Sequence, residues 1–290
     1  MLLLKFTNDQ IVKRLRWVMV GAILFSIINT LMGQPYSFWH HPETAIRGDG
    51  LSIYNSTNHT FDFFLGLGWQ SYLITCLVYI SLAFLLVSIL PQRTALILIF
   101  SFIFGHFFEA TNWLANRWHF GTNSASIYGL VLAPVIVSSA FPQFGSNMDK
   151  IIKRLRWLIV GPMVLDLMNT LIGQPSSYWL NPETVHEGNP MSRYLLIHGW
   201  YTYLFVHMIF IMGLFWLVWI FPKRIGLICI FFFMFGGFIG ASCWFFYVWR
   251  MGMQTPVILG IILSILIVLL AFPKLDNPVS EELLSEISAG

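Results

Sequence analysis

Eight apolar stretches separated by short polar ones make up most of the chain, at residues 17–32, 61–90, 94–118, 124–141, 157–172, 194–221, 225–249 and 255–272. A helix needs about 17–25 apolar residues to cross a bilayer. The first and fifth stretches sit at the lower limit, and the second and sixth are long enough to tilt or protrude. None alternates with the period of a strand. The pattern predicts an all-α polytopic membrane protein with eight transmembrane helices, each reading as uninterrupted.

The polar positions repeat. Residues 11–50 recur at 151–190, an offset of 140, with twenty of forty positions identical. Among them are Lys13-Arg14-Leu15-Arg16-Trp17, Asn29-Thr30, Gly33-Gln34-Pro35, Trp39 and Pro42-Glu43-Thr44. Chance similarity between apolar helices would keep leucines, whereas this match keeps amides, prolines and tryptophans. Beyond residue 60 the match continues at an offset of 131. Gly68-Trp69 pairs with Gly199-Trp200, Trp113 with Trp244, and Phe141-Pro142 with Phe272-Pro273. The first copy therefore carries about nine extra residues near 52–60. The expected architecture is two tandem parallel four-helix repeats, because an even number of helices returns each copy to the same side. The corresponding domains are a cytoplasmic leader (1–16), repeat 1 (17–142), a basic cytoplasmic linker (143–156), repeat 2 (157–273) and an acidic cytoplasmic tail (274–290).

Composition fits this picture. The 290 residues are 57% hydrophobic and 10% charged, against about 25% charged in soluble domains. The partner this implies first is the lipid bilayer. A net charge of +3 with no basic arm argues against nucleic acid. With the N-terminus inside, twelve of the sixteen Lys and Arg residues fall in cytoplasmic segments, leaving Arg47, Arg117, Arg193 and Arg250 outside. That bias places both termini in the cytoplasm of an inner or plasma membrane. The basic-then-apolar start is not read as a cleaved signal, because the same unit recurs at 153–172. The loops at 33–50 and 173–190 then face outward as Trp-rich caps, each with a Pro-Glu-Thr suited to a first helical turn. Two Asn-x-Thr triplets, at Asn55 and Asn58, fit the glycosylation pattern. Cys76, Cys229 and Cys243 all lie in apolar stretches, with no metal or haem spacing.

Ionisable groups inside a bilayer are costly, so each is a candidate for function. The two copies do not share theirs. His106, Glu109 and Asn112 stand where the second copy has Gly237, Gly240 and Cys243, and Asp166 stands where the first has Ser26. Asp166 lies seven residues before Gly173, about 10 Å of helix, and Glu109 nine before Trp118, about 13 Å. His207 lies seven residues after Trp200, at a similar depth. The functional expectation is one outward-facing polar pocket where Asp166, Glu109, His106 and His207 converge, with Asn29 and Asn169 at its mouth. The competing expectation is that these amides and carboxyls are hydrogen-bonded glue between helices. No recognised metal motif is present, and no catalytic residue or cofactor follows from the pattern.

The second copy, with Asp166, Thr170 and Glu187-Gly188-Asn189-Pro190, resembles a group of small bacterial and archaeal four-helix membrane proteins. Those carry Asp and Thr in the first helix and Glu-x-Asn-Pro before the second. The resemblance spans about 40 residues, makes Asp166, Glu187 and Asn189 a unit, and brings no activity with it. The first copy departs from it with Ser26, Arg47 and Asp49-Gly50. Three function classes remain open. They are a carrier or binding protein with a polar pocket, a non-catalytic subunit or scaffold binding a membrane or extracytoplasmic protein through its Trp-rich caps, and an intramembrane enzyme acting on a lipid or isoprenoid.

Overall fold

The computed structural model describes residues 8–45, 59–121, 123–142, 148–252 and 254–273. The leader before residue 8, Arg47, Asp49-Gly50, Asn55, Asn58, most of the extra residues near 52–60 and the acidic tail lie outside the described residues. What is described is helical, with no strand. The first half runs α1 (Asn8–Met32), 3-10 turns at Tyr36–Trp39 and Pro42–Thr44, α2 (His59–Gly66), α3 (Trp69–Ile89), α4 (Gln92–Asn116) and α5 (Asn123–Ala140). The second half runs α6 (Met148–Leu155), α7 (Trp157–Ile172), 3-10 turns at Ser176–Trp179 and Pro182–Thr184, α8 (Pro190–Ile197), α9 (Trp200–Ile220), α10 (Lys223–Cys243) and α11 (Gln254–Ala271). Among the described residues, eight helices are long and apolar enough to cross a membrane, with α6 and α7 counted as one. The molecule is an all-α polytopic membrane protein.

Three expectations change. The basic residues Lys13, Arg14 and Arg16 belong to α1, which starts nine residues before Trp17. Much of the expected linker at 143–156 is the helix α6, because Met148, Ile152 and Leu155 recur at helical spacing and are buried while Lys153 and Arg154 face outward. The second and sixth stretches are not continuous. Each breaks at a glycine, Gly68 with φ 115° and Gly199 with φ 114°, a backbone state that side-chain-bearing residues avoid. The apolar run passes through both breaks, so hydropathy alone does not show them.

Prolines set the opposite ends of α3 and α9. Leu90 and Phe221 are extended at ψ 153° and 152° ahead of Pro91 and Pro222, as steric contact with a following proline requires. The tightest helix pairs are α1 with α4 and α7 with α10, while α3 and α9 are peripheral. The last helix of each half crosses over, α5 packing mainly on α10 and α11 mainly on α4. The halves are thus interlocked through a main core that draws on both, while a smaller cluster around Leu167, Leu196 and Tyr203 belongs to the second half alone.

Between α4 and α10 runs a phenylalanine seam. Phe100 stacks on Phe231 with centroids 6.3 Å apart, and Phe104 meets Phe235 at 5.1 Å. Phe141 stacks on Phe272 at 5.8 Å, and Asn116 Nδ2 lies 3.5 Å from Tyr247 Oη. In every one of these pairs the partner stands 131 residues further on. Phe104–Phe238 and Phe107–Phe235 are likewise reciprocal, at 4.9 and 4.4 Å.

Candidate functional site

The faces of α1 and α7 that meet α4 and α10 carry the candidate residues. On α7 these are Pro162, Asp166, Asn169, Thr170 and Gly173, spaced so that they lie along one side of the helix. Opposite them α10 is nearly bare. A Cβ at Gly237 would come within 2.8 Å of the Met163 backbone nitrogen and 2.9 Å of the Pro162 carbonyl carbon. A Cβ at Gly240 would overlap the Asp166 carboxyl group. The small residues let the backbones approach, as in other tightly crossed membrane helices. The Asp166 carboxyl occupies the space that the missing side chain of Gly240 leaves.

The first half reverses this arrangement. Here α4 supplies the acid, Glu109, and α1 the small partner, Ser26. The buried Ser26 hydroxyl lies against the Glu109 carboxyl without a well-directed hydrogen bond. Glu109 Oε2 lies 3.2 Å from Nδ1 of His106, off the line of a hydrogen bond. His106 Nε2 sits 3.2 Å from the Tyr79 hydroxyl on α3. Glu109 is also within electrostatic reach of Tyr72 and Cys76. Its side chain is 37% exposed and that of His106 15%, so neither is fully enclosed.

The second half has a similar frame built from other residues. Tyr203 on α9 lies against Thr170 and within reach of Asp166 and Glu187. Its counterpart Tyr72 lies against Thr30 and within reach of Glu109. Thus each half holds one Tyr–Thr pair facing one intramembrane carboxyl group. Glu187 comes from the cap, where Asn189 is the N-cap of α8 and accepts from Met191 N at 2.9 Å and Ser192 N at 3.4 Å. Glu187 Oε1 accepts from Asn189 N at 2.7 Å, which fixes the acid within electrostatic reach of Asp166. Burial lifts the Glu187 carboxyl above the ordinary glutamate range, against the opposing pull of the Asn189 and Gly188 amides and of His186. The Glu-x-Asn-Pro stretch is therefore a helix cap that also carries an acid.

Among the described residues the candidates divide between different neighbours: Glu109 and His106 gather with α1 and α3 residues, whereas Asp166 and Glu187 gather with α9. His207 stays on its own helix, Nδ1 donating to Tyr203 O at 3.0 Å with its ring 4.0 Å from the Tyr203 ring. Asn29 donates to Phe25 O at 3.0 Å in the turn below it. Asn169 reaches Ala241 O on α10 at 3.5 Å. Asn112 belongs to the contact between the halves, where its Oδ1 accepts from the Tyr247 hydroxyl at 3.3 Å. These three amides bind backbone or the opposite half and take no part in either acidic cluster.

Among the cluster members, Tyr72, Tyr79 and Tyr203 were not marked by the sequence pattern. The signal was present, since Tyr72 and Tyr203 are a matched pair 131 residues apart, but aromatic residues in apolar helices are too common to stand out. The pattern also left unmarked an aromatic cavity of about 240 Å³ at the cap end, lined by Tyr178, Trp179, Trp200, Tyr201 and His198. In the first half the matching Trp39 and Trp69 rings approach to 6.2 Å. Among the described residues no three His, Cys, Asp or Glu side chains gather as metal ligands.

Fold and composition define a multi-helix integral membrane protein with an acidic cluster in each half. Comparison with known protein families, with curated proteins and with solved structures finds no match for the chain.

Proposed function

We propose that the protein is a membrane carrier or binding protein for a small cationic or protonatable solute, with one acidic site in each of two tandemly duplicated, parallel halves. The halves are related by a pseudo-twofold axis along the membrane normal. The observation that carries the reading is the matched placement of Glu109 and Asp166, each an intramembrane acid facing a Tyr–Thr pair, Tyr72/Thr30 and Tyr203/Thr170. A carboxyl group at such depth is tolerated when a proton or a cation neutralises it. An acid supported by a phenol and a hydroxyl is a suitable cradle for an ammonium group or a transferable proton. The excess of Lys and Arg at the opposite end from the caps orients the sites toward the extracytoplasmic side of an inner or plasma membrane.

The test is uptake and equilibrium binding of a panel of organic and inorganic cations by the full chain in vesicles. Glu109→Ala and Asp166→Ala should each reduce binding by at least tenfold while the protein still inserts. Unchanged binding and transport in both variants would sink the reading.

A second reading has its own observation. Tyr36 and Leu180, at the tips of the caps, are 82% and 92% exposed. Such side chains suit a partner protein docked on the capped face. In that case Leu180→Asp disrupts a co-purifying complex and leaves cation binding untouched.

A further inference from the structure

At the basic end, α3 and α9 occupy matching places in the two halves, yet α3 leaves a groove beside α1. The groove is a cavity of about 470 Å³ whose walls include Trp17, Phe84 and Leu85, with Ser81 and Ser88 along one side. Both serine hydroxyls are turned back to their own helix, to Leu77 O at 2.8 Å and Phe84 O at 2.7 Å. The surface they present is therefore largely apolar. In the second half the same positions hold Met212, Trp216 and Trp219 in place of Ser81, Leu85 and Ser88. Those three side chains are bulkier than the ones they replace.

The arginines follow the difference. Arg156 is enclosed by rings, its guanidinium carbon 4.1 Å from the centroid of Phe215, 5.1 Å from Trp219 and 5.9 Å from Trp216. Its counterpart Arg16 lies over Phe84, 5.5 Å from the ring centroid, and donates through Nη1 to Ser88 Oγ at 2.7 Å. Arg16 thus stands at the polar end of the groove, on the end of the bundle that also carries Lys13, Arg14 and Arg93. An apolar trough that ends in a guanidinium matches one kind of molecule, a chain of hydrocarbon ending in a phosphate. A zwitterionic lipid would bring its ammonium close to the same guanidinium. Free phosphate would find nothing to use along the apolar walls.

We propose that this groove is a selective site for one acidic phospholipid, its acyl chain along Trp17, Phe84 and Leu85 and its phosphate on Arg16. Ser88 and Ser81 keep the trough open, and the second half has lost the equivalent site to Trp219 and Trp216. The proposal is independent of the solute sites.

Native mass spectrometry of the full chain, released from detergent containing equimolar phosphatidylglycerol and phosphatidylcholine, tests it. The expected result is one retained phosphatidylglycerol per chain. Ser88→Trp, which installs the residue found 131 positions on, should reduce that retention at least tenfold. Arg16→Gln should leave lipid bound but remove the preference for the acidic headgroup. Equal retention of both lipids by the unaltered protein overturns the proposal, as does full retention of phosphatidylglycerol by a folded Ser88→Trp variant. If Ser88→Trp does not fold, Arg16→Gln decides. Loss of headgroup preference supports the site, and its persistence overturns it.

Discussion

The two halves share a frame and differ in which helix supplies the acid. In the first half α4 carries Glu109 and α1 answers with Ser26; in the second α7 carries Asp166 and α10 answers with Gly240. Two carboxyl groups facing each other across one helix crossing would repel and desolvate one another. One acid and one small residue avoid that cost, and either helix can supply either member. The position of the charge is held while its covalent origin changes. Beside this, Gly33 and Gly173 keep the same task in both halves, each lying under a tryptophan ring, Trp113 or Trp244.

The comparison is broken most severely at Gly237. A side chain there meets the backbone of α7 at Pro162 and Met163, and backbone cannot turn aside as a rotamer can. Gly237→Val should cost about 3 kcal/mol or more, the upper range for overpacking, seen as a large fall in the thermal midpoint in detergent. His106→Ala, at the matching position of α4, should cost about 1 kcal/mol for its two polar contacts. Similar costs at the two positions would show that the helix crossings are not built differently.

The next test moves the acid. Ser26→Asp combined with Glu109→Gly gives the first half the arrangement of the second. Glu109→Gly alone should lose cation binding at least tenfold, about 1.4 kcal/mol, and the double variant should recover most of it. If recovery fails while helix content and expression hold, the identity of the supporting helix matters and the equivalence is lost.

A smaller effect separates the halves by pH. Burial raises the Glu187 carboxyl in the folded state, so folding favours its protonated form. The stabilisation is complete below the ordinary glutamate value of about 4.3 and is lost as pH rises through the folded value. Stability should therefore fall with rising pH from the ordinary glutamate range upward, and Glu187→Gln should flatten that part of the profile. A profile unchanged by Glu187→Gln would show that another group governs it.

The smallest expected effect is at the basic end. Lys223 pairs with Asp149 at 2.9 Å, whereas the matching Asp9 pairs with Lys13 on its own helix at 2.6 Å. Both pairs are exposed, so Lys223→Gln should change stability by no more than about 1 kcal/mol, measured by the same thermal scan.

Much of this was legible in residue order. Apolar length gave the spans, the basic residues gave two distinguishable ends, and the matched Asn-Thr, Gly-Gln-Pro and Pro-Glu-Thr positions gave the common frame. Mismatches between the copies pointed to Asp166, Glu109 and Glu187 as places where the halves diverge. The breaks at Gly68 and Gly199 were hidden because one glycine in an apolar run is compatible with a helix until its φ is known. The helical start at Met148 was hidden because a basic stretch reads as a linker until its apolar side finds a core.

What the sequence by itself determined is local, namely where helices span, where caps sit and which residues are costly in lipid. What the tertiary structure decided is which of those costly groups meet. Residue spacing put Asp166, Glu109 and His207 at similar expected depths, and depth is all that helical rise supplies. Whether they face one another depends on how each helix is rotated and which neighbour it packs against. The packing of α1 on α4 and of α7 on α10 sets both, and it gives the two acids different neighbours.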